Sequence, residues 1–77
     1  MKELHNYMRG GITPKQREYY NFVRDYIHEN GASPSLQEIA DQFNVTVANA
    51  HNKINALVDR GFLTKVDGQN RGLDLVR

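Results

Sequence analysis

Cysteine and tryptophan are absent from this 77-residue sequence, and proline occurs only twice. Without cysteine there is no disulfide framework and no thiolate metal site, a usage that fits a reducing compartment and an expected cytoplasmic location. No apolar run approaches the roughly 20 residues that span a bilayer. The opening stretch MKELHNYMRGG has no apolar segment of the kind a secretory signal needs. Charge of one sign is scarce as well: ten Lys and Arg oppose nine Asp and Glu, leaving +1. His5, His28 and His51 lie far apart and share no ligand spacing, so no metal is expected. No Ser/His/Asp set, carboxylate pair or phosphate-cradling glycine loop is present, and Gly10-Gly11 is too short for one and reads as a hinge. An enzyme is therefore not expected, and no cofactor is implied.

What the chain does contain is one small domain with an ordinary apolar and charged content of 39% and 25%. Thr13-Pro14-Lys15-Gln16 is a helix start, with Thr13 as cap, Pro14 at the first helical position and Gln16 completing a capping box. This helix is predicted to run to about Asn30 and stop at Gly31. Its buried stripe is Tyr20, Val23 and Ile27, flanked by Tyr19 and Tyr26 and widened by Phe22. Ser35-Leu36-Gln37-Glu38 is a second capping box, and Leu36, Ile39, Ala40 and Phe43 mark one face of a two-turn helix. Asn44 suits a left-handed terminator. Thr46 caps a third helix, 46–60, with Val47, Ala50, Ile54, Leu57 and Val58 as its core face and Gly61 as its end. The period then changes from 3.6 to 2. Residues 62–66 and 73–76 read as strands around the turn formers of Asp67 to Gly72. The fold class is thus mainly α with a small β-hairpin: a winged helix-turn-helix over 13–77, preceded by an extension or arm at 1–12.

The stretch from Ser35 to Leu63 carries the functional signal. Setting the core stripe of the third helix inward places Ala48, Asn49, Asn52 and Ala56 outward, with Lys53 at one edge and His51 and Asn55 near the other. A merely solvated helix would favour Glu and Lys. Small alanines allow close approach to a groove, and asparagine can bond adenine N6 and N7 together. The expected ligand is double-stranded DNA, with the third helix in the major groove. Lys53 can reach guanine or a phosphate, and Thr46 with the free N–H groups beside it suits a phosphate. At the wing tip Gln69, Asn70 and Arg71 are candidates for backbone or minor-groove contact, against the alternative of an ordinary solvated turn. Asn55 is assigned to plain polar surface, and the tyrosines of the first helix to the core. Formal charge by segment is +1 for 1–12, 0 for 13–30, −2 for 31–45, +1 for 46–60 and +1 for 61–77. One copy should therefore bind weakly and with strong salt dependence, so a homodimer, or a place in something larger, is expected.

These residues resemble the N-terminal DNA-binding domain of LexA-type repressors from about Ile12 to Val76. The resemblance rests on Thr13-Pro14-Lys15-Gln16, Val23-Arg24-Asp25-Tyr26-Ile27, Gly31, Pro34-Ser35 and Glu38-Ile39-Ala40. It continues through Ala56-Leu57, Arg60-Gly61, and Asp67-Gly68 to Arg71-Gly72-Leu73. It implies a transcriptional repressor that occupies an inverted-repeat operator as a dimer. It places the base-reading residues at Ala48, Asn49, His51 and Asn52. Two departures bear on sequence preference. Thr46-Val47-Ala48 stands, one residue shorter, where the family usually carries Ser-Pro-Asn, and His51-Asn52 stands in place of an acidic pair. The operator is accordingly expected to differ from the usual SOS box.

LexA proteins continue into a dimerising, self-cleaving domain with a Ser/Lys dyad, which these 77 residues do not include. An excised domain and a single-domain protein, for instance one encoded by a phage, are the two readings. Under the second, regulation by self-cleavage is not expected, and dimerisation needs another surface. Leu4 and Met8, four apart with Tyr7 beside them, are candidates for that surface, while Arg9-Gly10-Gly11 can form an arm into the minor groove. A frayed terminus is the third reading of this extension. The rival function is a protein-interaction module on the same fold, such as a small phage protein engaging a host regulator or nuclease, and the near-neutral charge favours it.

Overall fold

The structure, a computed structural model, describes residues 12–66 and 68–76. Its first helix, α1 (Pro14–Asn30), opens with a reciprocal cap. The Gln16 N–H donates to the Thr13 hydroxyl at 3.1 Å, and the Thr13 N–H donates to the Gln16 side chain at 3.0 Å. Two backbone donors that would otherwise lack partners are thereby satisfied. Ser35 and Glu38 repeat the device at α2 (Leu36–Phe43), at 3.1 and 3.0 Å. Thr46 caps α3 (Val47–Asp59) by accepting from the Asn49 N–H at 3.1 Å.

Left-handed backbone stops the helices, with φ of 75° at Gly31, 56° at Asn44 and 83° at Gly61. At the end of α3 the Gly61 N–H bonds the Val58 carbonyl at 3.0 Å and the Phe62 N–H bonds that of Leu57 at 2.9 Å. This paired closure requires positive φ at residue 61, which glycine adopts without a steric cost. The helix consequently ends at Asp59, a residue earlier than the sequence suggested.

The core lies where the three described helices meet. Tyr19, Val23, Ile39, Ala40, Ala50, Ile54, Leu57 and Leu63 are buried together. Phe43 joins α2 to α1: its ring stacks on Tyr19 at 3.9 Å between centroids and meets the edge of Phe22 at 5.9 Å. Phe22 thus faces α2 while Val23 is buried in the core, and the helix serves two neighbours as its wide stripe implied. Two details differ from the sequence reading. Tyr19, not Tyr20, is the fully buried tyrosine, because Tyr20 lies to the side against Phe62 beyond the end of α3. Val47 is 39% exposed; as the first residue of α3 it precedes the turns that cross the core.

After Gly61 the chain forms β1 (Leu63–Lys65) and β2 (Leu73–Leu75), antiparallel, with Leu63 opposite Leu75, Thr64 opposite Asp74 and Lys65 opposite Leu73. The strands are shorter than the period-2 pattern allowed. The Phe62 N–H is taken up by the α3 closure while its carbonyl accepts from the Val76 N–H at 3.4 Å, and beyond Lys65 the Val66 N–H bonds the Gly72 carbonyl at 3.0 Å across the loop. At Gly72 an added Cβ would sit 2.7 Å from the Val66 carbonyl oxygen, so no other residue fits this crossing without moving backbone.

Replacing Ile54 by Ala is expected to cost about 2–5 kcal/mol through lost burial and a cavity. Val47→Ala, at an exposed position, should stay within about 0.5 kcal/mol of wild type. Urea unfolding of the two variants checks both values.

Candidate nucleic-acid interface

The two helices of the candidate interface are joined by Asn44, Val45 and Thr46. The Val45 N–H returns to the Ala40 carbonyl at 3.0 Å and its side chain packs on the core, which fixes the turn. Beyond the turn, Ala48, Asn49 and Asn52 are exposed, and Ala56 and Lys53 are half-buried. The side-chain amides of Asn49 and Asn52 make no hydrogen bond to any described residue. The outer face of α3 therefore presents amide donors and acceptors that no group within the described fold occupies. Thr46 differs in that its hydroxyl oxygen already accepts from the Asn49 backbone. Its hydrogen remains available, as do first-turn amides of the helix. Asp59, also outward, lies at the far C-terminal end.

His51 and Asn55 belong to a different arrangement. Asn55 Nδ2 lies 3.4 Å from His51 Nε2, and Lys65 Nζ lies 3.3 Å from the same nitrogen and 3.4 Å from Asn55 Oδ1. The ammonium only donates, so this contact is a hydrogen bond when Nε2 is the acceptor. One edge of α3 is in this way tied to β1. The sequence offered a signal for it: in a strand, Lys65 shares the face of buried Leu63, so it starts on the side of the sheet that packs toward α3.

Arg71 is where the structure departs most from expectation. Instead of standing free at the tip, its guanidinium grips Glu38, with Nη1 to Oε1 at 2.7 Å and Nη2 to Oε2 at 2.9 Å. Nη1 also donates to the Ser33 carbonyl at 3.0 Å and approaches the Tyr26 hydroxyl at 3.4 Å. Buried Ser33 completes the seat by accepting from the Leu73 N–H at 3.3 Å. A bidentate guanidinium–carboxylate pair fixes orientation as well as distance. The Arg71 hydrogen bond, and after it the Ser35 N–H, hold the Glu38 carboxyl down from its ordinary 4.5 to about 2. No local spacing rule reveals this pair, since its members lie 33 residues apart and each has a sufficient local explanation.

Gln69 and Asn70 are exposed on the loop. With His51 and Lys65 they line a cleft of about 290 Å³ between wing and helices, floored by Leu36 and Ile54. Two of the three expected tip residues thus share a cleft with the His51 edge of α3, and the third anchors the wing to the other side. Among the described residues no group of three His, Asp or Glu could hold a metal ion. His5 and the proposed surface at Leu4, Tyr7 and Met8, with the arm at Arg9 to Gly11, lie outside the described residues.

Helix, turn, helix and a short antiparallel wing on one core define a winged helix-turn-helix. The family model for the LexA DNA binding domain matches residues 9–72, and the chain belongs to that family. The LexA repressor of Thermosipho melanesiensis is 36% identical over 66 residues, which cover 86% of this chain and 33% of the relative. The LexA repressor of Thermosipho africanus is 35% identical over the same coverage. That of Oleidesulfovibrio alaskensis is 33% identical, with 86% and 32% covered. The chain thus spans about a third of the length of these relatives.

Because the Glu38 carboxyl is more acidic in the fold than its ordinary 4.5, its contribution is present above that value and is lost as pH falls toward about 2. Glu38→Gln should lower stability at neutral pH and flatten the acid side of the stability profile in that window. Urea unfolding at a series of pH values tests this; equal slopes for variant and wild type would contradict it.

Proposed function

We propose that this chain binds double-stranded DNA sequence-specifically and represses transcription by occupying an operator. The observation that carries this reading is the outer face of α3, where the Asn49 and Asn52 amides stand exposed without a partner among the described residues. They sit on the second helix of a helix-turn-helix whose relatives are named LexA repressors. In the proposed complex α3 enters the major groove. Ala48, Asn49 and Asn52 face base edges, His51 flanks them at the edge tied to Lys65, and Thr46, Lys53, Gln69 and Asn70 lie near the backbone. Asparagine favours adenine through paired hydrogen bonds worth about 1–3 kcal/mol of discrimination. Arg71 acts through the wing's seat on Glu38, not by direct contact.

The working form is a homodimer on an inverted repeat, acting in the cytoplasm on the nucleoid. A net charge of +1 gives one copy little nonspecific affinity, and two copies on one duplex multiply what each contributes. The residues proposed to join the copies are Leu4 and Met8.

Selection of bound duplexes from a random library at about 100–150 mM salt, where nonspecific binding is weak, tests the reading. Recovery of an inverted repeat is expected. Asn52→Ala should then relax preference at one base position per half-site, while Lys53→Ala should weaken all sequences alike and lower the salt slope by about one. Folded protein that enriches no sequence would overturn DNA recognition and favour the protein-interaction reading, to which the near-neutral charge also points.

A further inference from the structure

We propose that Lys65, seated on His51 and Asn55, forms a phosphate site on the wing side of α3 and takes one backbone phosphate of the bound duplex. This rests on the DNA-binding reading of α3.

Among the described residues the charge of Lys65 is positioned but not cancelled. Its ammonium lies 3.3 Å from His51 Nε2 and 3.4 Å from Asn55 Oδ1, and neither neighbour is a carboxylate. The described ion pairs are Lys15 with Glu18, Arg24 with Asp25 and Arg71 with Glu38. Lys65 is in none of them. An ammonium carries three N–H donors, and the two described neighbours account for two of them. An exposed lysine with no such seat would sample many rotamers and lose that freedom on binding. Here helix and strand restrict it before a ligand arrives.

Its place matches what a helix in the major groove meets. Phosphate backbones run along both sides of the groove, so a reading face is best served by a cation at each edge. Lys53 stands at one edge of the Ala48–Asn49–Asn52–Ala56 face. At the other edge α3 itself supplies only His51 and Asn55, and β1 brings Lys65 to them. The cleft beside Lys65 is also lined by Gln69 and Asn70 of the wing loop. The pairing of Arg71 with Glu38 removes the cation that the loop would otherwise offer, and Lys65 supplies one from the strand instead.

The experiment uses the full chain and the inverted-repeat duplex recovered by selection, with neutral methylphosphonate placed at one phosphate at a time. Lys65→Gln removes the charge and keeps a polar group toward His51 and Asn55; Lys65→Arg keeps the charge. The Gln variant should bind about three- to tenfold more weakly at about 150 mM salt, with a salt slope shallower by about one and an unchanged preferred sequence. The Arg variant should bind near wild type. At one methylphosphonate position wild type should fall to the level of the Gln variant, and the Gln variant should fall no further. If wild type binds its selected duplex but no position gives that convergence and the slope is unchanged, Lys65 only ties the wing to α3 and the proposal fails. If wild type selects no duplex at all, the DNA reading itself has failed. Thermal unfolding of each variant separates lost binding from lost folding.

Discussion

The carboxylate of Glu38 is used twice, and the placement of the wing depends on that double use. One oxygen accepts from the Ser35 N–H and closes the cap of α2; both oxygens receive the Arg71 fork. Two strands of three residues each have little stability alone. Here the hairpin is held by Leu63 in the core, by Leu73 on Ser33, and by Arg71 on the start of the helix-turn-helix. The first helix of the motif and the wing are thereby coupled, and α3 is oriented against both.

The polar residues of α3 divide into two kinds. Asn49 and Asn52 are left without partners in the described fold, whereas Asn55 and His51 are engaged with Lys65. Three asparagines spaced three residues apart have different physical states because they step across the outer face, and only the edge that holds Asn55 lies beside β1. A free amide can exchange water for a base edge without breaking an internal bond. One already committed to a neighbour must first give up that bond, so it suits a supporting role.

Local structure was legible from residue order alone where its cause was local. The caps at Thr13, Ser35 and Thr46 and the left-handed stop at Asn44 follow from side-chain chemistry within four residues. The apolar faces of α2 and most of α3 followed from periodicity. Val47 was misplaced, and Tyr19 rather than Tyr20 became the fully buried tyrosine, because periodicity defines a stripe but not where neighbouring elements cover it. The Glu38–Arg71 pair stayed hidden for a related reason. Capping fully accounted for Glu38 and a solvent-facing role for Arg71, and nothing local required them to meet.

Residue order determined the helix starts and stops, the change to strand period after Gly61, and the outward set on α3, because each arises from interactions within one or two turns. It also carried the family, through spaced motifs from Thr13 to Gly72. Tertiary structure alone decided which charges remain available. Packing the wing against α2 closes Arg71 onto Glu38, and packing β1 against α3 sets Lys65 above His51. Both outcomes depend on contacts between segments far apart in the chain, which no local pattern encodes.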